Sequence, residues 1–305
     1  MPIPNQPLSS NPIEELWPAN GAVERIEMEG AVAASDGNAI VVALEGTPTA
    51  DAGLEAVARE SYRRLLRGVA RFGYPNVVRI WNYVPRIHEK TSGIDRYMCF
   101  CKGRSEAFAA HYGDAFASRL PAASAVGCPG DALVVHALAT RDPVRYVENP
   151  RQVSAYRYPE RYGPKSPSFA RGTVTQGRMG GAVFVSGTAS IVGHESVFPG
   201  DPLRQTAESM RNIETVLNEA SVPGPGGPLG SRLRSLRVYV RFPEQLPEIR
   251  RALGERTGPD VPTSWFQAEI CREELLVEIE ATARTAQQGG EGDPDLRSTG
   301  LARKD

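Results

Sequence analysis

Apolar and polar residues alternate along several short stretches of the chain, a pattern typical of β-strands with one buried face. It predicts strands at 39–46 (AIVVALEG), at 77–84 (VVRIWNYV), in the 181–190 region (AVFVSGTAS) and at 236–242 (LRVYVRF). Two further apolar segments, SWFQAEI and LLVEIEATA, read as a hairpin-like pair. In the first half, PAASAVG and DALVVHALATR take the corresponding place.

Apolar residues at three- and four-residue spacing predict amphipathic helices between these strands. The stretch LEAVARESYRRLLRGVARFG carries one such stripe, and TAESMRNIETVLNEA carries another through Met210, Ile213, Val216 and Leu217. Helices are also expected at RSEAFAAHYGDAF and LPEIRRALGER. The fold class is therefore α+β, with mixed sheets and helices packed on one face.

The two halves of the chain repeat the same order of elements, β-β-α-β-α-β-β, which indicates a duplicated unit. Two unrelated α+β stretches would explain the matching order less well. Aligning the closing segments of the halves places His136 opposite Glu278. We expect an N-terminal domain at 1–147, a C-terminal domain at 148–286, and a disordered, Gly-rich polar tail at 287–305.

One closing strand carries an unusual pair of acidic residues. Strand alternation places Leu276, Glu278 and Glu280 on one face of LLVEIEATA and Val277 and Ile279 on the other. A buried carboxylate needs partners or a raised pKa, so burial here would indicate function. A solvated strand face is the alternative that the sequence leaves open.

The charge balance excludes some partners. Lys+Arg total 35 and Asp+Glu total 36, giving a net charge of -1, which argues against nucleic acid or an anionic membrane as the main partner. No apolar run approaches the ~20 residues needed to span a bilayer. We read no signal peptide at the N-terminus, so a cytoplasmic location is expected.

Cofactor motifs are missing from the sequence. The four cysteines do not form a C-x-x-C pair, and the four histidines do not form an H-E-x-x-H cluster; these residues are Cys99, Cys101, Cys128, Cys271, His88, His111, His136 and His194. There is no G-x-x-x-x-G-K-[ST] motif and no strand-borne G-x-G-x-x-G motif. We therefore expect no metal and no cofactor.

Several segments of the second half resemble the RidA (YjgF) family. They are GPKSPSFARGTVTQGRMGGAVFVSGTAS, RVYVRF and PTSWFQAEI followed by LLVEIEATA. The resemblance implies two tandem RidA-like, chorismate-mutase-like units. RidA imine deaminases have an arginine just after the proline of the penultimate strand, whereas here Pro262 is followed by Thr263 and Ser264. This departure argues against imine hydrolysis.

A closer resemblance covers nearly the whole chain. The segments VVRIWNYVPRIH, RYMCFCKGRSEAF, ENPRQVSAYRYPERYGPKSPSFARGT, FVSGTASIVGHES and FQAEICREELLVEIE are similar to the chorismatase family. The resemblance implies a degenerate N-terminal unit and a catalytic C-terminal unit that removes pyruvate from chorismate. A benzoate starter unit for a secondary metabolite would suit such an enzyme.

The resemblance also implies roles for individual residues. Glu278 occupies the place of the family's essential glutamate and would donate a proton to the substrate's methylene carbon. Tyr162 and Arg171 are the best candidates for binding the substrate's carboxylates, because a planar guanidinium binds carboxylate in two places. Weaker candidates are Arg241, Arg157 and Arg161. For Arg157 and Arg161, a plain surface position is at least as good an interpretation.

Two further positions resemble the residues that separate the branches of the family. Gly187 and Cys271 together resemble the branch that forms 3-hydroxybenzoate. Gln267 and Cys271 are expected to alternate onto one face of the penultimate strand and line the pocket. A buried, inert thiol is the alternative for Cys271.

Other functions remain open from the sequence. The alternatives are a chorismate hydrolase that gives 3,4-dihydroxycyclohexa-1,5-diene carboxylate plus pyruvate, a RidA-like deaminase, and a non-catalytic metabolite-binding protein. The expected partner is a small molecule, and both a monomer and a homotrimer are compatible with RidA-like units.

Overall fold

The first half of the chain folds close to the predicted pattern. The computed structural model describes residues 2–8, 19, 21–28, 30–49, 53–91, 93–223 and 229–285. The tail predicted to be disordered, 287–305, lies outside these residues. The strands of the first unit are β1 (Glu24–Met28), β2 (Ala31–Ser35), β3 (Ala39–Gly46), β4 (Asn76–Pro85), β5 (Lys90–Thr91), β6 (Ile94–Asp95), β7 (Ala122–Cys128) and β8 (Leu133–Thr140). Its helices are α1 (Leu54–Arg71) and α2 (Arg96–Tyr112).

The second half repeats this arrangement. Its strands are β9 (Val144–Val147), β10 (Gly172–Thr175), β11 (Ala182–Thr188), β12 (Ile191–Val192), β13 (Glu195–Ser196), β14 (Leu233–Val240), β15 (Thr263–Gln267) and β16 (Val277–Arg284). Its helices are α3 (Pro202–Glu219) and α4 (Leu246–Thr257). The second sheet thus begins at β9, before residue 148.

The two six-stranded sheets have the same topology. The first has the order β1-β2-β3-β8-β4-β7, and the second has the order β9-β10-β11-β16-β14-β15 read from its β9 edge. Each strand of one sheet therefore has a counterpart at the same place in the other. The predicted duplication is visible in the topology.

The predicted hairpin between SWFQAEI and LLVEIEATA is wrong. β15 pairs with β14 in parallel, and β16 lies between β14 and β11. The physical reason is the crossover helix α4, which returns the chain alongside β14 in the same direction. Because β15 ends at Gln267, Cys271 does not share a strand face with that residue.

Helices cover one face of each sheet. The apolar stripes of α1 and α2 pack on the first sheet, and those of α3 and α4 pack on the second. Asp95 and Asp201 cap α2 and α3 by accepting hydrogen bonds from Met98 N and Arg204 N. No helix within the described ranges is long and apolar enough to cross a bilayer.

The helix-free faces of the two sheets pack against each other and form a third apolar cluster. β4 is buried along nearly its whole length because it is covered on both sides. Polar contacts fix the docking: Ala122 N donates to Thr173 Oγ1 (2.9 Å), and Ala123 N donates to Ser186 Oγ (2.9 Å). The molecule thus has four layers, with a sheet–sheet interface at its centre.

The start of the chain joins the two units. Leu8 N donates to Trp265 O (2.8 Å) at the edge of β15. The buried Asn5 amide donates to Gly127 O (2.7 Å) in the first unit and to Gln267 O (2.9 Å) in the second. One side chain therefore satisfies a carbonyl of each unit.

We expect Asn5→Ala to destabilise the protein by about 1–3 kcal/mol, because both carbonyls lose a buried donor. Urea denaturation measures the effect. Asn76→Ala is the matched control, since the Asn76 amide also donates to two carbonyls, but at the partly exposed end of β4 within one unit. Equal losses for the two variants would contradict a bridging role for Asn5.

Candidate active site

A cavity of about 340 Å³ opens between the two units. Ser124 on β7 lines it from the first unit, and Gly187 on β11 and Glu278 on β16 line it from the second. Its size falls within the usual range for small-molecule sites. The sheet–sheet interface therefore supplies the candidate active site.

Both acidic residues of β16 are buried in this interface. Glu278 is 4% exposed and Glu280 is 6% exposed, while Val277 and Ile279 point to the helix-covered core. The expected alternation of the strand is observed. The alternative interpretation, a solvated face, is wrong because the first sheet covers it.

Glu280 is held as a carboxylate by donors from both units. Its Oε1 accepts from Ser124 Oγ and lies 3.1 Å from Arg79 Nη2. Its Oε2 accepts from Trp81 Nε1 (2.9 Å) and from Arg237 Nη1 (3.2 Å). Burial would raise the pKa of Glu280, but the two guanidiniums and the two neutral donors hold it below its usual value.

Glu278 has the opposite environment. Its Oε1 is buried and has no hydrogen-bond partner among the described residues. Burial, with the adjacent charge of Glu280, raises the pKa of Glu278 to about 8, while Arg79 opposes the shift. The pKa values of two carboxyls on one strand face are thus shifted in opposite directions, so that one can act as an acid while the other stays an anion.

Gly187 lies directly against the Glu278 carboxyl. The register of β11 against β16 shifts between Val185 and Thr188, and Gly187 lies within this irregularity. A Cβ on Gly187 would lie 2.0 Å from Glu278 Oε1 and 2.7 Å from Ser124 Cβ. The Glu278 carboxyl and Ser124 therefore already occupy the position that a side chain would need, so only glycine fits there.

Cys271 lines the same cavity. Burial, followed by the neighbouring charges of Glu278 and others, raises the pKa of its thiol to about 12. The thiol is therefore protonated near neutral pH, and its contribution is shape rather than nucleophilicity.

Arg171 and Tyr162, the two preferred substrate-binding candidates, both line the cavity. The buried Arg171 guanidinium donates to Tyr158 Oη (2.7 Å) and to Val153 O (3.0 Å). The Tyr162 ring stacks beneath the guanidinium of Arg272, whose Cζ lies 4.0 Å from the ring centroid. An aromatic and cationic wall results.

The structure places three other predicted site residues outside this cavity lining. Arg241 pairs with Glu269 (2.7 Å). Arg157 is exposed and stacks on its neighbour Tyr156. Gln267 lies at the end of β15, where its backbone bonds to the N-terminal segment.

Several lining residues were missed by sequence reasoning, among them the cationic Lys90, Arg104 and Arg272. Arg104 is buried within α2, where helical periodicity alone gives it no special place. A stronger signal was available for Arg79, a charged residue inside the apolar strand VVRIWNYV. Such a residue needs a buried partner, which here is Glu280.

Within the part of the chain that the structure describes, no group of three or more His, Cys, Asp or Glu side chains could hold a metal ion. The cavity is lined by acids, cations and aromatic rings. A protonated carboxyl beside a cationic wall suits proton transfer to an anionic substrate.

Comparison with known proteins identifies the family of this chain. Residues 15–139 match the sequence profile described as "Chorismatase FkbO/Hyg5-like, N-terminal". A protein of Streptomyces hygroscopicus named 3-hydroxybenzoate synthase is 36% identical over 281 residues, which cover 89% of this chain and 82% of that protein. This chain belongs to the chorismatase family.

Two other members of the chorismatase family are also similar to this chain. A chorismatase of Streptomyces rapamycinicus is 38% identical over 219 residues, or 70% of this chain and 65% of that protein. A crystal structure of a chorismatase superposes with a TM-score of 0.77 and 31% identity, covering 85% of this chain and 79% of that one. The prediction of an α+β fold with two tandem units is confirmed.

We expect Gly187→Ala to displace the Glu278 carboxyl and to destabilise the fold by about 1–3 kcal/mol, because Ser124 leaves the new methyl group no room. A crystal structure and thermal denaturation measure the two effects. Gly254→Ala is the control: this helical glycine has open space around its Cβ position, so its replacement should be neutral or stabilising. An unmoved Glu278 in Gly187→Ala would contradict the close packing.

Proposed function

We propose that this protein removes the enolpyruvyl group of chorismate as pyruvate and forms 3-hydroxybenzoate. The observation that carries the proposal is the buried Glu278: it packs directly against Gly187, its Oε1 has no hydrogen-bond partner among the described residues, and its pKa is raised to about 8. The relative named 3-hydroxybenzoate synthase, 36% identical over most of the chain, supports it.

Glu278 acts as the proton donor. Carbon is a weak base, so protonation of the terminal methylene of the enol ether requires an acid that is still protonated near neutral pH. Burial of Glu278 supplies that state. Proton transfer leaves an oxocarbenium-like centre and a carboxylate at Glu278, and the new negative charge stabilises the cation beside it.

Arg171, Arg104 and Arg272 bind and orient the substrate. Chorismate carries two carboxylates, and these three guanidiniums line the cavity. Arg171 is buried, and its Nε has no hydrogen-bond partner among the described residues, so it can donate to a ligand oxygen without breaking a bond. Tyr162 and Tyr158 offer aromatic faces for the ring.

The ring hydroxyl of the substrate is the nucleophile in this proposal: its oxygen bonds to the cationic carbon, and its proton returns to the Glu278 carboxylate. Loss of a ring proton then breaks the bond of that oxygen to the ring and makes the ring aromatic. The oxygen becomes the ketone oxygen of pyruvate as the ether bond breaks, and the released phenoxide takes up the proton. The products 3-hydroxybenzoate and pyruvate together contain the atoms of chorismate, so water is not consumed. Because Gly187 has no side chain, the Glu278 carboxyl lies where a Cβ would be, and the ring hydroxyl can approach the cation formed next to Glu278 in the cavity. Cys271 stays a thiol and shapes the opposite side of the pocket.

Hydrolysis to the dihydroxycyclohexadiene carboxylate is the second candidate, because other relatives are named chorismatase. We place the enzyme in the cytoplasm, in keeping with its four free cysteines. Both walls of the cavity come from one chain, which is compatible with function as a monomer; a homotrimer remains the alternative.

Incubation with chorismate should release pyruvate and 3-hydroxybenzoate in equal amounts. Mass spectrometry distinguishes the outcomes, since the dihydroxylated acid contains the atoms of one additional water. The dihydroxylated acid would overturn the choice of product but keep the pyruvate-releasing activity. Thermal stabilisation by chorismate without any product would instead indicate a binding protein.

Glu278→Gln should lose nearly all turnover, at least about 100-fold, while chorismate still stabilises the folded variant. In the parent enzyme, kcat/KM should fall as the pH rises through about 8, because the acid must be protonated in the free enzyme. A variant with parental turnover, or a rate that is constant across that pH range, would exclude Glu278 as the donor.

A further inference from the structure

Glu280 contacts residues that the proposed chemistry does not use. Its carboxylate accepts from Ser124 and Trp81 and pairs with Arg79, all three from the first unit, and it pairs with Arg237 from its own sheet. The first unit thus reaches across the interface to one anion of the second.

This anion stands beside the proposed proton donor. Glu278 and Glu280 are two residues apart on one strand face, and β14 pairs with both, through Tyr239 and Arg237 respectively. Arg79 lies 3.1 Å from the Glu280 carboxylate and also acts on Glu278. While Glu280 is charged, Arg79 is paired with it. Without that charge, Arg79 would favour the ionised form of Glu278.

We propose that Glu280 is a positioning residue: it pairs with Arg79 and Arg237 so that Glu278 stays protonated. The first unit takes part in catalysis through these ion pairs, which we call the clamp. The proposal rests on the proposed function, in which Glu278 gives up a proton. The degenerate unit then contributes Arg79, Trp81 and Ser124, which set the state of an acid on the other unit.

Other groups facing Glu278 do not replace Glu280 in this role. Burial keeps the pKa of Cys271 at about 12 and that of Tyr239 well above its usual value, so both are neutral. The cavity also carries the cationic Lys90, Arg104, Arg171 and Arg272 and the titratable His88. Its remaining acids are Asp95, Glu273 and Glu274. All of these are unchanged in the variants below.

Two variants should move the titration of Glu278 in opposite directions. Glu280→Gln removes the anion and leaves two cations beside Glu278, so the alkaline limb of kcat/KM should move to lower pH by about one unit or more. Arg237→Gln removes one cation and keeps the anion, so the limb should move to higher pH. A purely structural role would lower stability in both variants without opposite shifts.

Glu208→Gln is the matched control. Glu208 is also a buried carboxylate of the second unit with two arginine partners, Arg151 (2.5 Å) and Arg211 (3.2 Å), but it lies on α3, outside the cavity lining. This variant should lose stability as a broken buried ion pair does, with its pH profile unchanged.

A second readout does not depend on turnover. The infrared C=O band of the protonated Glu278 carboxyl, assigned by its loss in Glu278→Gln, can be titrated in each variant without substrate. If chorismate is not converted, this titration still tests the clamp, so failure of the proposed function and failure of the inference are distinguishable. An unshifted midpoint in folded Glu280→Gln, or shifts of the same sign in both variants, would overturn the inference. If Glu280→Gln does not fold, the shift of the Glu278 midpoint in Arg237→Gln decides: a shift to higher pH supports the inference, and an unchanged or lower midpoint overturns it.

Discussion

The structure depends on the burial of two carboxyls of one strand between two sheets. Taking a carboxylate out of water is costly, so each must be paired or neutral. Glu280 is paired by Arg79 and Arg237, and Glu278 is driven toward its neutral form. Strand alternation puts both carboxyls on one face, sheet docking buries them, and the difference between their environments determines the chemistry of the cavity.

Duplication of the unit explains how such a site arises. The two sheets share one strand order, and docking their helix-free faces creates an interface between non-identical copies. In the first unit the position aligned with Glu278 is His136, which burial keeps largely neutral by lowering its pKa to about 4. In the proposed function, one copy specialises in proton transfer while the other supplies cations and shape.

Much of the fold follows from local patterns. The strand 39–46 and the helix beginning at Leu54 were predicted because their apolar periodicity is strong. The hairpin prediction failed because periodicity identifies a strand but not its partner, and β16 pairs with β14 and β11 instead. Glu278, Gly187 and Cys271 were brought together as the family resemblance implied. The role of Glu280 was hidden because its partners lie far away in sequence, on β4 and β7.

The contacts of Asn5 have a consequence for the order of biosynthesis. The segment around Asn5 leaves the ribosome well before the edge strand to which it binds, β15, because Asn5 and Gln267 are 262 residues apart. The first unit can fold around its own helices before β15, the strand that this segment binds, has been synthesised. Completion of the interface between the units therefore follows the synthesis of β15.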